Sequence, residues 1–268
     1  MVLFDTHAHY TDRRFENEID GGSDAILTEA FASGVEGIVN VSVNSTNALE
    51  VIKQAAKYEK MYVAVGTHPT DSRECDGIDF ELFRIEELLK HKSENKIVAV
   101  GEIGYDYYWE PFDKEMQKEY FRRQMELARK YGLPAMIHDR DAHGDTLRTL
   151  AEFPDVISVI HSCSLSADSV REVCRGGNVY VSFSGTVTFK NASRVKEAAA
   201  AVPLDRLLSE TDCPYLAPHP HRGKINFSQR MVHTADTLAD IHGLSSGEMQ
   251  TILFENARRM LGMNKNCK

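Results

Sequence analysis

His7 and His9 stand two residues apart in Asp5-Thr6-His7-Ala8-His9, just behind an apolar run. In an extended segment that spacing turns both imidazoles to the same side. Imidazole suits divalent metals, although an isolated H-x-H also fits two polar loop histidines. Four more donors each follow a short apolar run: Glu102 in Val100-Gly101-Glu102, His138 in Met136-Ile137-His138, His161 in Val159-Ile160-His161, and Asp212 in Glu210-Thr211-Asp212. An unpaired carboxylate or imidazole at the end of a buried strand is costly, so six at such places point to a common purpose rather than to unrelated ion pairs. They exceed what one tetrahedral ion needs. Two ions sharing Glu102 as a bridge would use them all, and such a pair suits hydrolysis, because it activates water near neutral pH and steadies the leaving group.

Several neighbours extend this set. Asp106 is placed to orient a ligand histidine, or else to cap a loop. His68, in Gly66-Thr67-His68-Pro69, is a candidate substrate contact, with a satisfied loop histidine as the alternative. Arg140 and Arg222, with Lys224 beside them, are the cations expected around a phosphate, since guanidinium matches two phosphate oxygens at once. Tyr105, Tyr107, Tyr108 and Trp109 gather in one segment, either to stack on nucleobases or to anchor packing. Cys163 and Cys213 adjoin candidate ligands but read as small buried fillers. Neither of the glycine-rich nucleotide cradles, G-x-x-x-x-G-K-[ST] or G-x-G-x-x-G, occurs.

The elements that must position these groups alternate along the chain. Strand-like runs cover 2–6, 37–41, 61–65, 97–101, 134–137, 157–160, 179–181 and 206–208. Helical patterns fall at 23–33, 46–58, 80–90, 114–131, 143–152, 167–175 and 192–201, and two more follow at 228–242 and 245–261. Eight strand–helix alternations predict an α/β fold, a (β/α)8 TIM barrel with an extra C-terminal helix, ahead of an open doubly wound sheet. Segments entering strands are brief, whereas those leaving them are long (8–22, 66–77, 102–113, 209–227). Strand exits share one face of such a barrel, the face where these folds keep their chemistry.

The chain has 268 residues, 42% hydrophobic and 26% charged, which excludes a disordered or fibrous protein. With no linker or repeat in view, one domain over 1–268 is the simplest expectation. No apolar run is long enough to span a membrane and the first ten residues lack a signal-peptide layout, so a cytoplasmic protein is expected. Five scattered cysteines without C-x-x-C fit reduced thiols. A net charge of −9 disfavours a broad basic nucleic-acid coat but leaves room for local phosphate contacts.

Five segments in order carry a resemblance: DTHAHY at 5–10, GEIGYDYY at 101–108, the I-H-x-R segment at 137–140, VIH at 159–161 and ETDCPYLAP at 210–218. Together, and over 5–256, they resemble the TatD family of metal-dependent deoxyribonucleases, a branch of the amidohydrolase-like barrels. The resemblance implies one divalent cation held by His7, His9, Glu102 and Asp212 and another by Glu102, His138 and His161, the ions being Mg, Mn or Zn. It also implies hydrolysis of DNA phosphodiesters, typically from a 3′ end. Two departures lie where substrate would rest. Relatives usually continue the sixth-strand histidine as H-C-F-S-G, whereas this chain reads His161-Ser162-Cys163-Ser164-Leu165. Where relatives follow R-G-K-x-N with an acidic or small residue and proline, this chain has Phe227-Ser228 after Asn226.

The resulting expectation is a two-metal deoxyribonuclease acting on DNA 3′ ends or short single strands, with RNA as a further candidate substrate, Asp212 as general base and no protein partner required. The alternatives are an amidohydrolase-type enzyme cleaving a cyclic amide, lactone or aminoacyl ester with the same site, and a silent binding protein with structural metals.

Overall fold

The computed structural model describes residues 2–263. Among them are eight strands: β1 (Leu3–Ala8), β2 (Val35–Val41), β3 (Met61–Val65), β4 (Ile97–Asp106), β5 (Ala135–Arg140), β6 (Ser158–Ile160), β7 (Val179–Phe183) and β8 (Leu207–Ser209). The helices are α1 (Arg13–Glu18), α2 (Gly22–Ala32), α3 (Ser45–Ala55), α4 (Ile78–Lys90), α5 (Lys114–Tyr131), α6 (His143–Ala151), α7 (Ala167–Cys174), α8 (Ser193–Ala201), α9 (Met231–His242) and α10 (Ser246–Met260). The strands form one sheet in the order β1 to β8, the topology of a (β/α)8 barrel.

Helix boundaries follow capping chemistry. Asp113 accepts the Met116 N–H at the start of α5, Gly132 ends that helix in the left-handed region, and Ser245 with Glu248 forms a reciprocal capping box on α10. Helix α1 lies inside the expected 8–22 loop. Its signal was Asp12, whose side chain accepts the Arg14 N–H.

Two compact units divide the chain. One takes the chain up to Val39 and from His161 onward, and the other is Asn40–Ile160. In the first, Leu3, Val181, Phe183, Leu207 and Leu208 are buried, and a parallel bridge joins Ala8 to Cys213. The bonds His9 N→Cys213 O (2.8 Å) and Asp212 N→His7 O (2.9 Å) carry β1 alongside the chain leaving β8. In the second, β3 to β6 pair in parallel, with buried Val63, Ile97, Val100, Ile103 and Ile137.

Strand β4 runs five residues beyond the apolar run that announces it, through Glu102 to Asp106. Its pairing with β5 passes from Val100↔Ala135 to Ile103↔Ile137, so β4 holds one extra residue there. Such a bulge re-aims side chains, and Glu102 sits within it. Farther on, Gly104 has φ +143, and a Cβ there would stand 2.0 Å from the His138 carbonyl oxygen. Only glycine permits that approach of β4 to β5.

Candidate metal centre

In the Asn40–Ile160 unit, His68, Glu102 and His138 bring one donor atom each within 4.8 Å of one another. His138 Nδ1 is 2.7 Å from Glu102 Oε1, and its Nε2 is 3.0 Å from Asp106 Oδ2. A carboxylate only accepts, so the ring donates to Asp106 through Nε2. Its Nδ1 then either donates a second proton or gives its lone pair to a cation shared with Glu102.

Asp106 is buried, and its other oxygen accepts the backbone N–H groups of Tyr108 (2.9 Å) and Trp109 (3.0 Å). Burial would raise its carboxyl, but the His138 contact, those two N–H groups and the His138 charge prevail and bring it down to about 2.

His68 is different. The Thr70 N–H donates to its Nδ1 (3.2 Å), which leaves the ring proton on Nε2, 3.7 Å from Glu102 Oε1. In this tautomer His68 offers the site an N–H rather than a lone pair.

In the other unit, His7, His161 and Asp212 likewise bring one donor atom each within 4.8 Å of one another. His7 Nε2 and His9 Nε2 stand 3.1 Å apart, so either one ring donates to the other or both turn lone pairs to a cation. Asp212 Oδ1 lies 3.5 Å from His9 Nε2 and 3.9 Å from His7 Nε2. Burial would raise the Asp212 carboxyl, yet the His9 contact and the charges of His161, His9 and His7 hold it below its usual value. The rings of His7 and His161 stack with centroids 4.1 Å apart.

Two supporting carboxylates are absent from the expectations above. Glu210, fully buried, receives His161 Nδ1 at 3.2 Å and the Ser162 N–H at 2.7 Å, so the lone pair of His161 is left on Nε2. The oxygen Glu210 Oε2 is buried without a hydrogen-bond partner. Asp5 accepts from Thr211 N (3.0 Å), Thr211 Oγ1 (2.6 Å), Ser228 Oγ (2.7 Å) and His7 N (3.3 Å), while burial lifts its carboxyl to about 6. Asp5 shares the two-residue period of His7 and His9, which was the available clue. Glu210 had none beyond its place in Glu-Thr-Asp, because its partner is 49 residues away.

The donors fit divalent metal. Each cluster combines imidazole with carboxylate, and His138 and His161 each have the other ring nitrogen engaged by a carboxylate, a common support for metal-binding histidines.

The expected phosphate cations lie against aromatic rings: Arg140 is 3.9 Å from the Tyr108 centroid, and Arg222 is 4.2 Å from that of Phe189. Tyr105 is buried with its hydroxyl 3.0 Å from Thr149 Oγ1, and Tyr107 donates to Asp145 Oδ2 (3.0 Å). These two anchor packing.

Among the described residues, no helix is long and apolar enough to cross a membrane. A family model described as TatD related DNase matches residues 4–262. YabD of Bacillus subtilis (strain 168), an uncharacterised metal-dependent hydrolase, is 38% identical, with 98% of this chain and 100% of the relative covered. YcfH of Escherichia coli (strain K12), described in the same words, is 33% identical with 97% and 96% covered. The crystal structure of YJJV, a TatD homologue from Escherichia coli K12, matches with a TM-score of 0.88 at 26% identity over 96% of this chain and 97% of that one. The chain therefore belongs to the TatD-related DNase family and is a metal-dependent hydrolase.

Proposed function

We propose that this protein, as a single hydrolase domain, cleaves phosphodiester bonds of DNA from 3′ ends or in short single strands, with RNA as a second candidate substrate. The observation that carries the reading is the pair of histidine–carboxylate clusters, each with a histidine oriented by a second carboxylate. Membership of a family described as DNases supports it.

His7, His9, Glu102 and Asp212 would hold one divalent ion, and Glu102, His138 and His161 a second, with Mg, Mn or Zn all compatible with these donors. When bound, such ions supply a water of lowered pKa and positive charge for the phosphoryl oxygens.

The chain's own groups have separate tasks. Asp212, kept ionised by its histidine neighbours, takes the proton of the attacking water as general base. His68 directs its Nε2 proton to a phosphate oxygen. Arg140 and Arg222, each backed by a ring, face the phosphate with their N–H edges. Asp106 and Glu210 keep His138 and His161 in register. A cytoplasmic setting is part of the same reading.

The test is digestion of 3′-labelled single-stranded DNA by protein loaded with Mg, Mn or Zn, with a chelator control and a parallel panel of cyclic amides, lactones and aminoacyl esters. Metal-dependent release of nucleotides, abolished in Asp212→Asn, is the expected result. Turnover confined to the amide and ester panel would replace the nuclease reading.

A further inference from the structure

Trp109 is the chain's sole tryptophan, and it is 59% exposed; its neighbour Tyr108 is 50% exposed. Two adjoining exposed aromatic rings on a strand-exit loop make a small contiguous surface suited to contact with a flat partner. The two rings meet edge-to-face with centroids 5.0 Å apart. Arg140 lies over both, 3.9 Å from the Tyr108 centroid and 5.6 Å from that of Trp109. Trp109 also lines a groove of about 380 Å³ with Pro69, Thr70, Arg73, Glu74 and Glu110. Pro69 directly follows His68, so the groove begins beside the candidate site.

The chemistry of this groove favours a flat, uncharged, hydrogen-bonding occupant. Glu74 and Glu110 would repel a phosphate, yet both can accept from the amino groups of a base. Arg140, 3.9 Å from the Tyr108 centroid, is a guanidinium beside the rings suited to a neighbouring phosphate. The loop is also held in place. The two N–H groups that Asp106 Oδ1 accepts are those of Tyr108 and Trp109, while Asp106 Oδ2 meets His138 Nε2. One carboxylate thus fixes the loop that carries the rings relative to His138.

We propose that Trp109, with Tyr108 and Arg140, forms a stacking platform for one unpaired nucleobase of a single-stranded substrate. The proposal rests on the nuclease reading and adds that the enzyme recognises a base as well as the phosphate chain. A stacked base is worth about 1–3 kcal/mol, or roughly five- to 150-fold in affinity.

The sole tryptophan supplies a direct readout. The metal-loaded enzyme is titrated with a short phosphorothioate single-stranded oligonucleotide and with an abasic one of equal charge. Quenching of Trp109 fluorescence by the base-bearing oligonucleotide, with binding about tenfold tighter than the abasic one, is expected. Trp109→Ala should raise KM for base-bearing DNA about tenfold, Trp109→Phe should restore most of it, and abasic substrate should not distinguish the variants from the parent. If DNA is cut but both oligonucleotides bind alike without quenching, the platform is refuted and the nuclease reading stands. If neither oligonucleotide binds and DNA is left intact, both fall.

Discussion

Asp106 and His138 meet at 3.0 Å, carboxylate to Nε2, on adjacent strands in which Gly104 pairs with His138 and Asp106 with Arg140. The contact holds the Nε2 side of the ring, while Nδ1 faces Glu102. It also ties a candidate ligand to the loop that follows β4, because the remaining oxygen of Asp106 caps that loop.

Asp106→Ala is therefore expected to weaken divalent-metal binding about 10- to 100-fold, the usual loss when a group supporting a metal ligand is removed. Asp106→Asn keeps an accepting oxygen and should recover part of it. Calorimetric titration with Mn or Zn measures both, and wild-type affinity in the alanine variant would contradict the orienting role.

Glu210 makes the matching contact to His161 Nδ1 at 3.2 Å. Glu210→Gln can present its amide nitrogen to the ring and so permits the wrong tautomer. It should fold normally, bind metal about tenfold more weakly and lose turnover to a similar extent. Metal content after dialysis, read alongside circular dichroism, separates this from simple unfolding.

Gly104→Ala places a methyl 2.0 Å from the His138 carbonyl oxygen at a φ of +143. The strain should cost about 2–4 kcal/mol, lowering the thermal midpoint by roughly 5–10 °C. Because the displaced carbonyl belongs to His138, metal binding should fall even in the protein that remains folded. An unchanged melting curve would show that β4 and β5 separate more easily than their register implies.

His143 Nδ1 lies 2.7 Å from Asp139 Oδ2, and that hydrogen bond raises the imidazole above its usual value, against a smaller opposing effect of burial. A histidine with a higher pKa folded than unfolded contributes stability fully below the unfolded value. That contribution is lost as pH rises through the folded value. Carbon-detected NMR should show His143 titrating above free histidine, with Asp139→Asn bringing it down. A midpoint unmoved by that substitution would break the assignment.

The ligand candidates were legible because a donor directly behind an apolar run marks a strand end, as with His138 after Ala135, Met136 and Ile137. The strands nevertheless continue through those donors: β1 includes His7, and β4 includes Glu102 and Asp106. Polar side chains broke the apolar pattern while the backbone stayed in the sheet. The roles of Asp5 and Glu210 depend on partners 206 and 49 residues away, a separation that no local pattern encodes. Arg140 and Arg222 were legible as cations, but the rings of Tyr108 and Phe189 beneath them were not.

The Asp5 contacts bear on the order in which a growing polypeptide can become an enzyme. Its carboxylate needs Thr211 and Ser228, so the cluster of His7, His9 and Asp212 must wait until most of the chain has left the ribosome. His68, Glu102 and His138 are encoded within one continuous stretch, Asn40–Ile160. A nascent product stopped near residue 160 would carry His7, His9, Glu102 and His138 but lack His161 and Asp212, so neither proposed ligand set would be complete. Residues beyond 160 are thus needed before the proposed ligands are all present.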